Sequence, residues 1–298
     1  MAATKTIFIT GASSGLLVAF KTLPVIHSLH AGIGLASAKL FHSTGWNVVA
    51  TMRTPTPEHE LVKMDEPRMF VHRLDLQEFT SIQPAIDAGI ERFGTIDVLL
   101  NNAGYGLSGL FEAIPREKVQ EQFDVNLFGL MDVTRAILPH FRANHGGGVI
   151  NVSSGAGFWA QPTTSMYSAS KFALEGFTEA LSYELASQNI FVKSVVPHGG
   201  ITSTAFFTRF GASAVSPAES GLSSYNAFSA HIAECVRKMV AGAGASSADV
   251  AETILTAVTD GTDQLRYFIG NDARGFLQAR YASRSDEEYM AHMRSYFK

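Results

Sequence analysis

A tyrosine and a lysine four residues apart form the pair in this sequence that is best suited to acid–base chemistry. They are Tyr167 and Lys171, in SGAGFWAQPTTSMYSASK, and in a helix this spacing places both side chains on one face. A tyrosine hydroxyl ordinarily loses its proton near pH ~10, and a neighbouring ammonium group stabilises the phenolate. The pair therefore predicts a general acid or base, Tyr167, tuned by Lys171. The alternative is a surface tyrosine stacked along a lysine stem.

The chain around this pair alternates between short apolar runs and helix-length amphipathic stretches, which is typical of βαβ units and a parallel sheet. No repeat or linker divides it. We therefore predict an α/β fold, a doubly wound, Rossmann-type parallel sheet of seven strands in a single domain over residues 1–298. The predicted strands are 6–10, 47–52, 69–74, 97–100, 149–152, 191–196 and 266–269, and the helices between them include 35–45, 81–94, 116–145, 167–186 and 248–258.

Composition narrows the classes of function. The 298 residues can bury a substantial core, and a net charge of -4 leaves no basic excess for binding nucleic acid. Cys235 is the only cysteine, which excludes a disulfide framework and a cysteine-based metal cluster and fits a reducing compartment, the cytoplasm. The N-terminus does not resemble a signal peptide. No run reaches the roughly 18 apolar residues of a transmembrane segment.

The first predicted strand runs into TGASSG, a glycine-rich turn. Between a strand and a helix, such a turn brings backbone N–H groups to the pyrophosphate of a dinucleotide, and glycine avoids the Cβ that would block the phosphates. The chain then continues as LLVAFKTLPVIHSLHAG before it resumes as IGLASAKLF. Removal of residues 16–32 would leave TGASSGIGLASAKLF, an uninterrupted strand, turn and helix.

With that segment set aside, the chain resembles the single-domain short-chain dehydrogenases/reductases along nearly its whole length. The interrupted TGASSG and IG are similar to the family's glycine motif, and NNAG at residues 101–104 is similar to the motif that supports the central sheet. Asp75, in RLDL, matches the acid whose neighbourhood contacts the adenine. The positions that match the family's catalytic tetrad are Asn126, Ser154, Tyr167 and Lys171.

The resemblance implies a role for each member of this tetrad. Tyr167 would exchange a proton with the substrate oxygen while hydride passes to or from C4 of a nicotinamide, and Lys171 would hold the nicotinamide ribose and lower the tyrosine pKa. Ser154 would hydrogen bond to the developing alkoxide, and Asn126 would bind a water leading from the lysine towards solvent. Ser153 is a rival for the serine role, but the spacing of 13 residues to the tyrosine favours Ser154.

The end of the second strand, VVATMR, bears on the choice of cofactor. An NAD-preferring enzyme usually has an acid there, whereas this chain has Thr51, with Arg53 two residues later. An arginine can pair with a 2′-phosphate that a carboxylate would repel, so we predict NADP(H) over NAD(H). In the alternative, Arg53 merely faces solvent. The predicted cofactor contacts are Gly11, Ser13, Ser14, Gly15, Ile33, Gly34, Arg53, Asp75, Asn102, Ala103, Gly104, Tyr167, Lys171, Pro197, Ile201 and Ser203.

The loop after the sixth strand departs from the family pattern. Pro-Gly is usual there, but here Pro197 is followed by His198 and two glycines, so one extra residue must be absorbed. Ile201 is expected to meet the cofactor together with one of the next three residues, and the sequence leaves the choice among them open. His198 is either a substrate contact or a structural loop residue.

Substrate contacts are expected from residues 105–111, from residues 155–164 and from a variable segment at about 205–245. These segments have few charges, and their aromatic residues include Phe158, Trp159, Phe206, Phe207, Phe210 and Tyr225. An apolar mouth suits a lipophilic alcohol or ketone, such as a steroid, retinoid, fatty or polyketide-like compound. In the alternative, these aromatic residues close a lid or pack the core.

Residues 16–32 are unusual for an inserted loop because Lys21 is their only permanent charge, whereas surface loops are normally polar. An apolar segment here favours burial and predicts weak NADP(H) binding. A membrane-touching or partner-binding loop is an alternative, with only a weak basic face to support it. The uninterrupted motif left by its removal favours a different hypothesis, a translated intron, which sequencing of the transcript would test.

The leading functional hypothesis is an NADP(H)-dependent oxidoreductase that acts on a secondary alcohol or ketone of a lipophilic small molecule. One alternative is a catalytically impaired relative that binds a nucleotide or a partner protein, because its glycine turn is interrupted. Another is a relative that uses the same sheet for epimerisation or dehydration, since fold does not determine reaction. The resemblance also implies a homo-oligomer formed through the helices at 116–145 and 167–186.

Overall fold

A computed structural model describes residues 4–13, 32–64, 67–202, 221–240, 244–272 and 274–298. Its strands are β1 (Thr6–Ile9), β2 (Asn47–Met52), β3 (Met69–Arg73), β4 (Val98–Asn101), β5 (Gly147–Val152), β6 (Ile190–His198), β7 (Ile201–Thr202), β8 (Ala245–Ser246) and β9 (Arg266–Gly270). Its helices are α1 (Ile33–Ser43), α2 (Glu60–Lys63), α3 (Ile82–Phe93), α4 (Arg116–Phe123), α5 (Gly129–Ala143), α6 (Ser165–Ala186), α7 (Asn226–Val240), α8 (Ser247–Thr259), α9 (Phe276–Ala282) and α10 (Asp286–Ser295). Within these ranges no helix has both the length and the apolar character needed to cross a bilayer.

Seven strands form one parallel sheet in the order β3-β2-β1-β4-β5-β6-β9, and β7 pairs with β8 outside it. Ile7 of β1 pairs with Val48 of β2 on one side and with Val98 of β4 on the other. The strand order therefore reverses between β1 and β4. In open α/β sheets the ligand crevice lies at the carboxyl ends of the strands that flank such a reversal. The sheet confirms the predicted doubly wound fold and places this crevice after Ile9 and Asn101.

The central strands are buried on both faces, which explains why their sequences are almost continuously apolar. On one face α1 and α8 pack against the sheet through residues such as Leu35 and Val250. On the other face α3, α5 and α6 pack through residues such as Ile86, Ile137 and Leu181. The sheet is thus the middle of three layers, and both of its faces are closed by helices.

The predicted strands agree with the observed ones to within two residues at each end. The largest difference at an N-terminus is in β5, which begins at Gly147. A Cβ on Gly147 would lie 2.5 Å from the ring of Phe141, and one on Gly148 would lie 2.0 Å from the ring of Phe191. Packing against two rings therefore requires glycines that strand propensity alone disfavours.

The single helix predicted for residues 116–145 is wrong in one respect. Residues Asp124–Phe128 form a π-helical turn between α4 and α5. A π turn inside an α-helix adds a residue to the turn and often occurs at a functional site. This one turns Asn126 into the protein, where its side chain is 1% exposed.

Candidate active site

Tyr167 and Lys171 lie on the buried face of α6, as the spacing predicted. The tyrosine is 7% exposed and the lysine 6%. The Lys171 ammonium donates a hydrogen bond to the carbonyl oxygen of Val152, the last residue of β5, at 2.9 Å. The alternative of an exposed tyrosine stacked on a lysine stem is therefore wrong.

Ser154 lies two residues beyond β5 and faces the tyrosine. Its Oγ accepts a hydrogen bond from the N–H of Ala156 at 3.2 Å, which caps the short 3-10 turn Gly155–Gly157. Its hydroxyl also hydrogen bonds to the Tyr167 phenol. The rival Ser153 is buried, and its Oγ has no hydrogen-bond partner among the described residues. Of the two serines, Ser154 is the one that the fold brings to Tyr167.

Burial sets the protonation of this pair. It raises the pKa of Tyr167 to about 12, and the Ser154 hydroxyl opposes the rise by hydrogen bonding to the phenol. Burial also lowers the pKa of Lys171 to about 8, which the carboxylate of Glu175 opposes. The sequence predicted a tyrosine pKa lowered by Lys171, whereas here desolvation raises it and the Ser154 hydrogen bond is the group that opposes the rise. At neutral pH the phenol and the ammonium therefore both keep their protons.

Asn126 is held by the loop that follows β4. Its Oδ1 accepts from the N–H of Tyr105 at 3.0 Å, and its Nδ2 donates to the Tyr105 carbonyl at 2.9 Å and to Ser170 Oγ at 3.3 Å. A Cβ on Gly104 would lie 3.2 Å from Asn126 Oδ1 and 3.9 Å from Lys171 Nζ. Gly104 therefore lets the loop, the π turn and α6 meet around the lysine.

The NNAG motif joins the ends of β1 and β4 at the strand reversal. The Thr10 hydroxyl accepts from the backbone N–H groups of Asn102 and Ala103 at 3.0 and 3.1 Å. Asn102 Nδ2 donates to the carbonyl oxygens of Thr10 and Gly11 at 3.0 and 2.9 Å. Asn101 lies deeper and donates to Asn151 Oδ1 on β5 at 3.0 Å. Sequence reasoning missed the role of Thr10, whose signal was a threonine before the first glycine of the turn.

The described parts of the phosphate turn are closely packed. Gly11 has a φ of +68°, and a Cβ on it would lie 2.8 Å from Ala103 Cα. A Cβ on Gly34 would lie 2.4 Å from both Asn102 Nδ2 and the Gly11 carbonyl oxygen. Both positions therefore require glycine. Ile33 is the first residue of α1, whose first turn carries no acidic residue, so its N-terminus suits an anion.

The two ends of the interrupted motif meet in space. A Cβ on Gly32 would lie 3.4 Å from the carbonyl oxygen of Ser13, so the residues on either side of the interruption are in contact. Ser14, Gly15 and residues 16–31 lie outside the described residues. The described arrangement of glycines fits a dinucleotide pyrophosphate between the end of β1 and the start of α1.

The remaining predicted cofactor contacts surround the same edge of the sheet. Thr51 is fully buried and donates its hydroxyl hydrogen to the carbonyl oxygen of Ile9 at 2.9 Å, whereas Arg53 is exposed just past β2. Asp75 follows β3, and its Oδ1 accepts from the N–H of Gln77 at 3.1 Å.

The loop after β6 has one more residue than the family pattern, and two glycines accommodate it. Pro197 is buried in β6. It lies beyond the last residue of β6 that pairs with β5, so the hydrogen bonds between β5 and β6 do not need the N–H that proline lacks. Gly199 and Gly200 have φ values of +70° and +88°, which favour glycine. Ile201 begins β7, and Ser203 lies outside the described residues.

Aromatic rings pack against the turn that follows Ser154. A Cβ on Gly155 would lie 2.4 Å from the Trp159 ring and 2.9 Å from His198 Cβ. His198 is 8% exposed and meets Trp159 edge-on, with 5.7 Å between ring centroids. Phe158 and Trp159 are buried in a cluster with Phe276 of α9 and with α10. These two rings therefore pack the interior rather than line an open mouth.

The other expected substrate residues are only partly described. Phe206, Phe207 and Phe210 lie outside the described residues. Tyr225 is 37% exposed just before α7, and its hydroxyl donates to Glu112 Oε2 at 3.2 Å. That contact brings the start of α7 beside Phe111, which is 67% exposed.

Comparison with known proteins agrees with this architecture. The model of the family described as short chain dehydrogenase matches residues 25–213. An uncharacterised oxidoreductase of Schizosaccharomyces pombe is 36% identical over 220 residues, 74% of this chain and 89% of that protein. Retinol dehydrogenase 8 of Bos taurus is 35% identical over 185 residues, 60% of this chain and 59% of that protein. A crystal structure of a short-chain dehydrogenase from Streptomyces avermitilis is similar with a TM-score of 0.72 and 28% identity, covering 98% of this chain and 94% of that one. The chain belongs to the short-chain dehydrogenase family of oxidoreductases.

Proposed function

We propose that the protein interconverts a secondary alcohol and a ketone on a lipophilic small molecule, with NADP(H) as the cofactor. The observation that carries the proposal is the convergence of the Tyr167 phenol, the Ser154 hydroxyl and the Lys171 side chain at the carboxyl end of β5. A protein that only binds a nucleotide or a partner has no need of all three groups. Tyr167 is the proposed general acid/base, and the other two groups support it.

Each polar group has a distinct task in this proposal. When bound, a nicotinamide dinucleotide supplies or takes up the hydride. Tyr167, protonated at neutral pH, donates its proton to the carbonyl oxygen of the ketone, and in the reverse direction it takes that proton back. Ser154 hydrogen bonds to the same oxygen as negative charge develops on it. Lys171 orients the cofactor ribose, and Asn126 holds the loop and α6 together beside it.

The cofactor proposal is based on the end of β2. Thr51 is buried and turned towards Ile9, so Arg53 is the first charged side chain beyond the strand that can approach an adenosine ribose. No carboxylate stands at either position. An exposed guanidinium favours the 2′-phosphate of NADP(H) over the free hydroxyl of NAD(H).

Two observations support a lipophilic substrate. Phe111, Tyr225 and Phe228 expose 67%, 37% and 43% of their surfaces around the contact between Glu112 and the start of α7. Exposed rings grouped in this way suit an apolar ligand. In addition, one of the relatives is named for its action on retinol, an apolar alcohol.

The proposal is tested by following reduced nicotinamide absorbance with a panel of apolar ketones and either NADPH or NADH. We expect the absorbance to fall, and faster with NADPH. Cofactor binding without turnover of any ketone would favour an epimerase or dehydratase. Failure to bind either cofactor would favour the catalytically impaired relative, for which the interruption between Ser13 and Gly32 is the specific observation.

Exposed aromatic side chains at the start of α5 and on α6 bear on whether copies of the chain associate. Phe128, at the start of α5, and Phe172 and Tyr183, on α6, expose 47%, 40% and 73% of their surfaces. We propose that these helix faces join copies of the chain into a homo-oligomer in the cytoplasm. Sedimentation of the parent and of Phe172→Asp tests this, with a smaller species expected for the variant.

A further inference from the structure

A buried carboxylate lies one helical turn beyond Lys171 and has no task in the proposed reaction. Glu175 follows Lys171 by four positions on α6, so the two side chains share a face. Glu175 is 5% exposed. A buried charge is costly unless it is paired, so its partners indicate what keeps it there.

Two strands hold this carboxylate in place. Glu175 Oε1 accepts from Ser194 Oγ on β6 at 2.6 Å, and Oε2 accepts from Arg266 Nε on β9 at 2.8 Å. Ser194 and Arg266 are paired in the sheet register. Arg266 Nη2 also donates to Glu179 Oε2 at 2.5 Å. The carboxylate is therefore fixed on the sheet rather than free to turn towards solvent.

The same region of the sheet holds the lysine. Lys171 Nζ bonds to the Val152 carbonyl on β5, and the neighbouring residue Asn151 pairs with Ser194. The ammonium and the carboxylate are thus anchored on adjacent strands of the sheet, β5 and β6. A Cβ on Gly157 would come within 3.0 Å of both Glu175 Cγ and the Lys171 carbonyl oxygen, so glycine brings the Ser154 turn against this pair.

The negative charge of Glu175 favours the protonated form of Lys171. Burial lowers the pKa of Lys171 to about 8, and Glu175 works against that shift. Asn126, which approaches the lysine across Gly104, carries no charge. In the described part of the chain, the other titratable groups on α6 and on the elements packed against it include Tyr167 and Glu179 of α6, Asp124 of the π turn, Lys193 and His198 of β6, and Arg266 of β9.

We propose that Glu175 is a positioning residue that keeps Lys171 protonated at working pH, with Ser194 and Arg266 holding the carboxylate in place. The effect on turnover rests on the proposed oxidoreductase function, whereas the effect on the lysine does not. Glu179 is the matched control because it lies on the same helix and bonds to the same arginine but is 45% exposed.

The test is an NMR titration of protein with ¹³C-labelled lysines, in which the Lys171 signal is assigned by its loss in Lys171→Gln. We expect Glu175→Gln to lower the Lys171 midpoint by about one pH unit, because the variant removes an opposite charge that favours the ammonium in a buried site. Glu179→Gln should move it by less than about 0.3 unit because solvent screens an exposed pair. An unchanged midpoint in Glu175→Gln, or equal shifts in both variants, would overturn the proposal.

Turnover gives a second readout. The alkaline limb of kcat/KM should move to lower pH in Glu175→Gln by the same amount as the lysine midpoint. If the parent reduces no ketone, the proposed function fails while the titration still decides the role of Glu175. If Glu175→Gln does not fold, Glu175→Asp replaces it, since it keeps the charge but withdraws it by one methylene. The Lys171 midpoint is then expected to fall by about half a pH unit, and an unchanged midpoint would overturn the proposal.

Discussion

The catalytic half of the candidate site and its phosphate half are built in different ways. Ser154, Tyr167 and Lys171 come from 18 consecutive residues, and a single turn and helix bring them together. In the phosphate half, Gly11 and Gly34 are in contact although a long apolar segment separates them in sequence. One half depends on local geometry and the other on the closure of a loop.

The difference shows how an insertion can spare a fold and still threaten a function. The entropy cost of closing a loop grows slowly, by about 0.6 kcal/mol for each doubling of its length. The two ends of this loop are closely packed, because a Cβ on Gly34 would lie 2.4 Å from the Gly11 carbonyl oxygen and one on Gly32 would lie 3.4 Å from the Ser13 carbonyl oxygen. Stability should therefore change little with the segment, and its effect should fall on the cofactor.

The largest expected effect is in the catalytic half. Tyr167→Phe removes the proton that the proposal transfers, so kcat should fall by about 10² to 10⁴-fold, the usual contribution of a general acid or base. Steady-state turnover of the best ketone measures it. NADPH titration should give the same Kd as the parent, since the ring remains. An equally active variant would remove Tyr167 from the proposed role.

The second-largest effect on kcat is expected at Ser154, and the adjacent Ser153 provides a matched control. Ser154→Ala removes the hydroxyl that hydrogen bonds to the phenol and should lower kcat by about 10² to 10³-fold, as for loss of one oxyanion donor. Ser153→Ala removes a buried hydroxyl without a partner in the described part of the chain and should leave kcat within about twofold. The reverse order of effects would assign the role to Ser153.

Deletion of residues 16–32 tests the phosphate half. It gives TGASSGIG and leaves Ser14 and Gly15 to connect Ser13 to Ile33, and because Ser13 lies beside Gly32 the fold should be retained. We expect NADPH to bind at least about tenfold more tightly, a gain of about 1.4 kcal/mol. Calorimetric titration of both proteins measures the change, with circular dichroism as the control for folding. Equal affinities would show that the segment leaves the cofactor cleft open.

The elements that were predicted from sequence are those determined by local pattern. The apolar runs predicted β1 and β2 because strands buried on both faces cannot be polar. The four-residue spacing predicted the shared face of Tyr167 and Lys171 because it depends on the helix alone. Both belong to segments in which local and tertiary preferences agree.

The properties that sequence could not supply depend on distant partners. The raised pKa of Tyr167 follows from burial, which is a result of packing. Phe158 and Trp159 were expected at a substrate mouth, but α9 and α10, more than 100 residues later, cover them. The pairing of Glu175 with Arg266 likewise joins α6 to the last strand of the sheet. No motif in a single sequence marks such contacts.

The smallest expected effect concerns the choice of cofactor. Arg53→Ala removes an exposed charge from the end of β2, so its pairing with a 2′-phosphate is screened and contributes about 1 kcal/mol, or roughly fivefold in KM for NADPH. The KM for NADH should stay within about twofold, because NADH has no phosphate for the guanidinium to bind. Arg92→Ala, which removes another exposed arginine from the distant α3, should change neither value. Equal losses with both cofactors would mean that Arg53 positions the loop after β2 instead of selecting NADP(H).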